Sequence, residues 1–363
     1  MAIGDGAWDA AAFRERVDAT LAAFLDEQAR VLAPLGPDAA RLNERARAAV
    51  VGGKKFRAAF CHWGYRAVRT EPSSTELAAL DRACAALELL HASALAHDDV
   101  MDASDTRRGH PTTHRALEAE HRAASWRGDP EQYGTAGAIL LGDLLQGWAD
   151  ELLRRCGLGW DVVGPALQVF DACRTEVIAG QFLDVSVQAR GHADVEAAMT
   201  VLRYKSAKYS IERPLHVGAA LAGGDASTRE ALSGFGLPLG EAFQLRDDLL
   251  GVFGDPATTG KPAGDDLVEG KRTVLVALAL DGLAGSAPDD AALLDRSLGT
   301  ALTEADVARL RAVIEASGAP AHVEAAITGL AERALEALDA APVDPAARDV
   351  LRGLASAVTQ RAV

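Results

Sequence analysis

The stretch 91–109, His-Ala-Ser-Ala-Leu-Ala-His-Asp-Asp-Val-Met-Asp-Ala-Ser-Asp-Thr-Arg-Arg-Gly, places two carboxylates one helical turn apart at the end of an apolar helix. Residues three and four positions apart share a helix face, so Asp98 and Asp102 point in the same direction. Nearly every residue from 83 to 96 is apolar or small, which predicts a helix buried in the core. Because charge at the end of a buried helix needs a partner, we expect these carboxylates to lie in a cleft.

This pattern suits the binding of a divalent cation and a diphosphate. The repulsion between Asp98 and Asp102 turns into attraction when a cation lies between them. Mg²⁺ binds carboxylate oxygens, keeps several waters and completes its shell with substrate phosphates. Arg107 and Arg108 follow closely in the chain, and their planar guanidinium groups can bind a phosphate through two hydrogen bonds at once.

Further acidic and basic residues fit the same chemistry. Asp247 and Asp248 end a second apolar helix just before a glycine, so the two helices are expected to bind one metal–diphosphate cluster together. Two glycines precede Lys54 at the start of another apolar helix, where the backbone can approach an anion closely. Lys205 and Lys261 flank apolar helices and are therefore weighed as ligands rather than as solvated surface.

Composition limits the class of protein. The 363 residues are 49% hydrophobic, which is enough for one large core or two modest domains. With 37 Lys and Arg against 52 Asp and Glu the net charge is −15, which argues against nucleic acid as a partner. No run of 18 apolar residues predicts a membrane span, and residues 1–10 lack the order of a signal peptide. The four cysteines form no CxxC pair, which is typical of reduced thiols in a cytoplasmic protein.

Helical periodicity runs through the chain, and no stretch alternates at period two for long enough to predict a sheet. The fold class is therefore all-α, a single large helical bundle without a convincing domain boundary. Residues 118–132 are polar and contain breakers, which predicts an irregular excursion between helices. The predicted helices are 12–34, 39–51, 73–103, 133–155, 161–189, 194–222, 227–253, 304–317, 321–338 and 345–358.

The order of these motifs from Gly52 to Thr273 resembles the trans-isoprenyl diphosphate synthases of the polyprenyl synthetase family, and in particular the geranylgeranyl diphosphate synthases of actinobacteria. The resemblance implies an isoprenoid synthase-type bundle around a central cavity. It also implies one polyprenyl synthetase domain over residues 1–363, with residues 1–10 flexible, and a cytoplasmic homodimer.

The resemblance assigns roles to individual residues. It implies Mg²⁺, as three ions when diphosphate is bound, held by Asp98, Asp102 and Asp247. The catalytic residues would be these three aspartates with Arg107, Lys205 and Lys261. The isopentenyl diphosphate pocket would comprise Lys54, Arg57, His91 and Arg108. The allylic diphosphate would contact Arg107, Lys205, Ser206, Gln244 and Lys261.

Three positions depart from the family pattern. Gly251 stands where the second acidic motif usually ends in Asp, and Asp255 is a candidate substitute. Ser206 replaces the usual Thr, and Ala58 replaces a common Pro after Arg57. Metal binding is expected to depend mainly on Asp247, so these departures do not exclude activity.

Alternatives from other classes are weaker. Glu88–His91 and Glu118–His121 both fit the Glu-x-x-His of di-iron helical bundles, but that reading leaves the arginines and lysines without a role. His97-Asp98 is compatible with a metal phosphohydrolase, and a terpene cyclase shares the Asp-rich helix without needing the pocket at 52–57. Gly251 alone supports a non-catalytic or regulatory subunit of a heteromeric prenyl diphosphate synthase.

Product length is expected to be set along the helix that carries Asp98. Each turn back from Asp98 spans about 5.4 Å, close to one isoprene unit. Ser93 and Ala94 are small enough to let a C15 chain pass, whereas Leu90 and Leu87 are large enough to form a floor. This favours the C20 product geranylgeranyl diphosphate, with a C15 or a C25 and longer product as the alternatives.

Overall fold

The structure is a computed structural model that describes residues 8–192, 194–255 and 264–360. The all-α prediction is confirmed, since most of these residues are helical. The helices are α1 (Ala10–Leu32), α2 (Pro37–Val50), α3 (Phe56–Arg66), α4 (Ser74–Met101), α5 (Thr113–Ala123), α6 (Pro130–Arg154), α7 (Trp160–Arg190), α8 (Val195–Leu202), α9 (Arg213–Leu221), α10 (Ala226–Phe253), α11 (Asp265–Glu269), α12 (Val274–Ala284), α13 (Pro288–Ser297), α14 (Glu304–Ala316), α15 (Ala319–Ala340) and α16 (Pro345–Thr359).

The described residues form two compact units. The first comprises the chain up to Leu167 together with Val217–Gly223, and the second comprises Gln168–His216 and the chain from Gly224 onward. Of the predicted flexible segment, residues 1–7 lie outside the described residues. Trp8 is described, and its ring packs 4.9 Å from that of Phe13.

Helix α4 is the central element of the first unit. Its start is fixed by the predicted capping box, in which the Ser73 side chain accepts from the backbone of Glu76 and the Glu76 side chain accepts from that of Ser73. Most of its residues from Ala79 to Ala96 are buried, as expected for a helix that is apolar on every side. It packs chiefly against α6.

The predicted excursion over 118–132 is partly wrong. Helix α5 continues to Ala123, and α6 already begins at Pro130, with the Asp129 side chain accepting from the Glu131 N–H. Gly134 explains the close packing of α5 and α6, because a Cβ at this position would overlap the His114 carbonyl and lie 3.1 Å from the Glu118 nitrogen. Residues 118–123 therefore belong to an amphipathic helix, whereas residues 124–129 form the irregular connection between the two helices.

A two-residue hairpin follows α4. Thr106–Arg107 (β1) pairs antiparallel with His110–Pro111 (β2), and the turn residues Arg108 and Gly109 both have positive φ. A two-residue turn in which both residues have positive φ matches the right-handed twist of the two strands that it joins. The turn thereby separates Arg107, inside a strand, from Arg108 at its tip.

The second unit contains a long π-helical segment, Arg203–Glu212, which continues directly from α8 and leads into α9. Its core is built by α10 packed along α15 and along this segment. Buried members of that core include Ala207, Leu245, Leu249, Leu275, Ile314 and Val323.

Two predictions made from the composition concern the cysteines and membrane-spanning helices. The four cysteines are all buried. Within the ranges that the structure describes, no helix is both long enough and apolar enough to cross a lipid bilayer.

Candidate active site

The first acidic motif closes α4, as predicted. The Asp102 N–H donates to the Asp98 carbonyl at 2.8 Å, so the two residues are one helical turn apart. Both carboxylates are half-buried, whereas Asp99 between them is buried. The motif therefore presents Asp98 and Asp102 on a partly open side and directs Asp99 into the protein.

Asp99 holds Arg107, a role that the sequence did not predict. The Arg107 Nη2 lies 2.6 Å and its Nε 2.7 Å from Asp99 Oδ1, while Asp98 Oδ2 is 3.6 Å from Nη2. A buried carboxylate needs a cation or hydrogen-bond donors, and Arg107 supplies both. The guanidinium is thereby placed beside the predicted metal ligands.

The glycines at 52 and 53 make room for Arg108. Its Nη1 donates to the Val51 carbonyl at 3.0 Å, and a Cβ on Gly53 would lie 3.0 Å from its Nη2. Both glycines have a positive φ, a backbone conformation that residues with a side chain rarely adopt. The sequence predicted close approach of a ligand to this backbone, and the structure shows close approach of an arginine.

Lys55 anchors the same loop and was missed by sequence reasoning. It is buried with φ 52°, and its Nζ donates to the Val50 carbonyl at 2.7 Å. Asp18 and Glu88 carboxylates lie 3.3 and 3.7 Å away. Lys54 instead is exposed, with its Nζ 5.9 Å from the centre of the Phe56 ring.

His91 lies among four cations. Burial first, and then the positive charges of Arg57, Arg108, Arg107 and Lys55, hold the pKa of His91 well below its usual value. Three of the four residues predicted for the isopentenyl diphosphate pocket, Arg57, His91 and Arg108, are thus neighbours. Because a group of cations destabilises a further positive charge and favours an anion, this cluster is suited to a diphosphate.

The second acidic motif ends α10 in the other unit. Asp247 is half-buried, whereas Asp248 is buried and accepts from the Gln244 Nε2 at 2.9 Å. Burial, together with the charges of Asp266 and Asp247, raises the pKa of Asp248 to about 8, and the hydrogen bond from Gln244 opposes this rise. This excess of carboxylates favours a cation.

Asp266 occupies the space beside Gly251 and was not predicted. A Cβ built on Gly251 would overlap the carboxylate of Asp266, with the Asp266 Cγ only 2.5 Å away. Lys271 Nζ lies 3.6 Å from Asp266 Oδ1 and pairs with Glu269. The carboxylate at the end of this motif therefore comes from α11, and Asp255, the candidate substitute, is exposed at the end of α10. Lys261 lies outside the described residues.

Lys205 and Ser206 lie on the π-helical segment. The Lys205 Nζ is 2.6 Å from Asp184 Oδ2 of α7, and the Ser206 hydroxyl donates to the Gln244 side-chain oxygen of α10. Gln244 in turn donates to Asp248. Ser206, Gln244 and Asp248 thus form one hydrogen-bonded chain, which connects the predicted allylic contacts with the second acidic motif.

The donor set fits Mg²⁺. Carboxylate oxygens are the protein ligands that Mg²⁺ prefers. No group of three or more His, Cys, Asp or Glu side chains within residues 8–192, 194–255 and 264–360 is arranged to hold a metal ion by itself. An ion bound to either motif would need further oxygen ligands, which waters and substrate phosphates can supply.

The residues of the di-iron alternative have other partners. Glu88 pairs with Lys55 and lies 3.4 Å from the Ala58 N–H, and Glu118 accepts from Arg115 and Arg122. His121 Nε2 lies 3.1 Å from the Arg127 carbonyl. These carboxylates are committed to cations, which disfavours iron ligation.

Comparison with known proteins finds prenyl diphosphate synthases by family, by sequence and by structure. A family model described as polyprenyl synthetase matches residues 39–316. Geranylgeranyl diphosphate synthase of Mycobacterium tuberculosis is 33% identical over 296 residues, 79% of this chain and 77% of that protein. Geranylfarnesyl diphosphate synthase of Aeropyrum pernix is 31% identical over 281 residues, 76% of this chain and 81% of that protein. The crystal structure of geranylgeranyl pyrophosphate synthase from Corynebacterium glutamicum, complexed with isoprenyl diphosphate and magnesium, superposes with a TM-score of 0.95 at 43% identity and covers 98% of this chain and 100% of that one.

Proposed function

The chain belongs to the polyprenyl synthetase family and is a trans-prenyltransferase with the all-α isoprenoid synthase fold, and we propose that its product is geranylgeranyl diphosphate. It joins isopentenyl diphosphate head to tail to an allylic diphosphate. The observation that carries the proposal is the cation cluster around His91 next to the carboxylates of Asp98 and Asp102. The C20 length is supported by the relatives from Mycobacterium tuberculosis and Corynebacterium glutamicum, which are named for a geranylgeranyl product, whereas the relative from Aeropyrum pernix is named for a geranylfarnesyl product.

The proposed metal is Mg²⁺, held by Asp98, Asp102 and Asp247, with three ions when diphosphate is bound. When bound, Mg²⁺ would act as a Lewis acid on the leaving diphosphate. Arg107, Lys205 and Lys261 bind the same diphosphate and stabilise the negative charge that accumulates as the C–O bond breaks. Ser206 and Gln244 orient it through hydrogen bonds.

The second substrate is held separately. Lys54, Arg57, His91 and Arg108 bind the diphosphate of isopentenyl diphosphate, whose double bond attacks the allylic carbocation to form the new C–C bond. A proton then leaves the condensed product and is taken up by the released diphosphate. No protein nucleophile takes part.

Purified protein incubated with Mg²⁺, isopentenyl diphosphate and an allylic primer tests this function. Geranyl and farnesyl diphosphate should both be extended to a C20 product, separated by chromatography after removal of the phosphates. A C15 or a C25 and longer product would contradict the length, and absence of any product would favour the alternative of a non-catalytic subunit. Asp98→Ala should abolish the product and serves as the control.

The two substrate sets can be separated by kinetics. Arg57→Ala or His91→Ala should raise KM for isopentenyl diphosphate by about ten- to a hundredfold, because one lost charge-assisted contact costs roughly 1.5–3 kcal/mol. Lys205→Ala should raise KM for the allylic substrate instead. Equal effects of both variants on both substrates would contradict the division.

Three broader features complete the proposal. We propose one polyprenyl synthetase domain over residues 1–363, a homodimer and a cytoplasmic location, supported by the family and by the buried cysteines. Light scattering at micromolar concentration should give twice the chain mass of 37.9 kDa, and a monomer would refute the dimer. Cell fractionation tests the location.

A further inference from the structure

The π-helical segment Arg203–Glu212 is contacted by two helices of its own unit in the same manner. On α7, a Cβ at Gly180 would overlap the Lys205 nitrogen and lie 2.6 Å from the Tyr204 carbonyl carbon. On α10, a Cβ at Gly240 would lie 2.5 Å from the Ala207 oxygen and 2.9 Å from its Cα. Both glycines therefore touch the backbone of the segment directly, and neither leaves room for a methyl group.

Each glycine is followed one turn later by a side chain that binds the segment. Asp184, four residues after Gly180, accepts from Lys205 at 2.6 Å. Gln244, four residues after Gly240, accepts from the Ser206 hydroxyl. Residues four apart share a helix face. Each helix therefore contacts the segment twice on one face, through a glycine that touches the backbone and through a side chain that accepts a hydrogen bond.

A second set of contacts lies at the end of the segment, at Glu212 and at Arg213, the first residue of α9. Glu176, one turn before Gly180, binds Arg213 through both carboxylate oxygens at 2.6 and 2.7 Å. Ser233 donates to Glu212 at 2.7 Å, and a Cβ at Gly236 would lie 3.1 Å from the Glu212 Cα. The stripe Glu176, Gly180 and Asp184 on α7 is thus matched by Ser233, Gly236, Gly240 and Gln244 on α10.

π-Helical geometry changes where the side chains point. Its hydrogen bonds span one residue more than those of an α-helix, as in the bond from the Arg213 N–H to the Lys208 carbonyl. The same residues in α-helical geometry would direct Lys205 and Ser206 differently. Such segments are uncommon and are found at functional sites.

We propose that Gly180 and Gly240 are positioning residues for the allylic diphosphate contacts, because they allow α7 and α10 to hold the π-helical backbone that aims Lys205 and Ser206. The inference rests on the proposed role of Lys205 and Ser206. A methyl group at either glycine displaces the backbone of the segment and moves both side chains. Misplacement of a binding group by about 1 Å can cost about 100-fold in rate.

The test compares Gly180→Ala and Gly240→Ala in steady-state kinetics with geranyl diphosphate and isopentenyl diphosphate. Each variant should lower kcat/KM for the allylic substrate by about 10- to 100-fold and leave KM for isopentenyl diphosphate within about twofold. Gly134→Ala is the matched control, since its Cβ would overlap backbone in the first unit. It should lower the melting temperature without changing the ratio of the two KM values, and an equal shift of that ratio in the control would overturn the proposal.

Combined variants separate positioning from general destabilisation. In a background that carries both Lys205→Ala and Ser206→Ala, neither Gly180→Ala nor Gly240→Ala should cause a further loss of allylic kcat/KM. Additive losses would overturn the inference, because residues that act through one another are not additive. If Lys205→Ala alone leaves allylic binding unchanged, the proposed function of Lys205 fails instead.

If Gly180→Ala does not fold, a milder variant can be used to test the proposal. Gly236→Ala meets its nearest atom, the Leu215 Cδ1, at 2.9 Å, and this side chain can move. It should fold and raise the allylic KM by only a few-fold. An unchanged allylic KM in both Gly236→Ala and Gly240→Ala would refute the proposal.

Discussion

Three cationic residues in or beside the candidate site are each held by a buried carboxylate that is not a predicted ligand. Asp99 holds Arg107, Asp184 holds Lys205, and Glu88 pairs with Lys55. A buried carboxylate without a partner is costly, so each pair fixes its cation in place. Fixed cations lose little conformational freedom when they bind a substrate, which is the advantage of a preorganised site.

Gly251 and Asp266 give the sharpest prediction for single residues. Gly251→Asp should lower activity at least tenfold, because its Cβ would overlap the carboxylate of Asp266. Asp266→Ala should also lower activity. The double variant Gly251→Asp with Asp266→Ala should recover activity to within a few-fold of wild type, as measured by product formation with Mg²⁺. Asp255→Ala is the control and should stay within about twofold; a severe loss there would make Asp255 the working carboxylate.

His62 should make the free energy of unfolding depend on pH. Burial, followed by the charges of Arg16 and Arg66, lowers the pKa of His62 from 6.5 to about 3. Between pH 6.5 and 3 the unfolded chain therefore binds a proton that the folded chain does not, so stability falls as the pH falls. At about 1.4 kcal/mol per pKa unit, the effect is of the order of a few kcal/mol.

The measurement is chemical unfolding of wild type and His62→Phe at several pH values between 4.5 and 7. Phe matches the ring contacts that His62 makes with Trp8, Phe13 and Trp63. The variant should lose stability less steeply on acidification. Equal slopes for the two proteins would contradict the assignment.

The sequence revealed residues that are close along one helix and missed those brought together by the fold. Asp98 and Asp102 are predictable because helical periodicity alone puts them on one face. Asp266 and Gly251 are in contact although they belong to different helices, α11 and α10. Lys55 and Asp99 were missed because their partners, Glu88 and Arg107, lie on other elements.

At the scale of elements, helix limits were predictable and backbone variants were not. The ends of α2, α10, α14 and α16 fall within two residues of prediction, because Gly, Pro and capping residues mark them locally. The π-helical geometry of Arg203–Glu212 has no such mark. Gly180, Gly236 and Gly240, which lie in other helices, make room for it, and such contacts cannot be seen along a single stretch of sequence.

Product length is the prediction that belongs to helix α4. The structure separates the two small residues that were expected to act together: Ala94 is half-buried, whereas Ser93 is buried and donates to the Gly142 carbonyl of α6 at 2.7 Å. Ala94→Phe should therefore shift the product toward C15. Ser93→Phe should instead lower the melting temperature, because the new ring would be forced against α6.

Chromatography of the products and thermal unfolding distinguish these outcomes. Ser93→Ala is the matched control and should keep the product length while losing one buried hydrogen bond, worth about 1 kcal/mol. Shortening by Ser93→Phe without loss of stability would show that Ser93 lines the path of the chain. An unchanged product from Ala94→Phe would exclude α4 as the ruler.

The whole molecule has a negative net charge, but the residues around His91 are positively charged. The chain carries a net charge of −15, yet arginines and lysines gather around His91. A protein with this balance repels anions in general and attracts them only where the cations are concentrated. Binding of a diphosphate should therefore depend on these residues and on a divalent cation that neutralises the acidic motifs.

Thermal stability offers a measure of that binding without catalysis. Mg²⁺ and inorganic pyrophosphate added together should raise the melting temperature by several degrees, since a ligand at 100 times its Kd stabilises the folded state by about 2.7 kcal/mol. Mg²⁺ alone should have a smaller effect, because the carboxylates of one motif do not complete its shell. Asp98→Ala and Asp247→Ala belong to different units, and each should abolish the joint effect if both motifs bind one diphosphate. Retention of the full shift in either variant would show that pyrophosphate binds to one acidic motif only. In the Arg57→Ala variant both acidic motifs are intact. This variant should therefore keep most of the shift if pyrophosphate takes the allylic position.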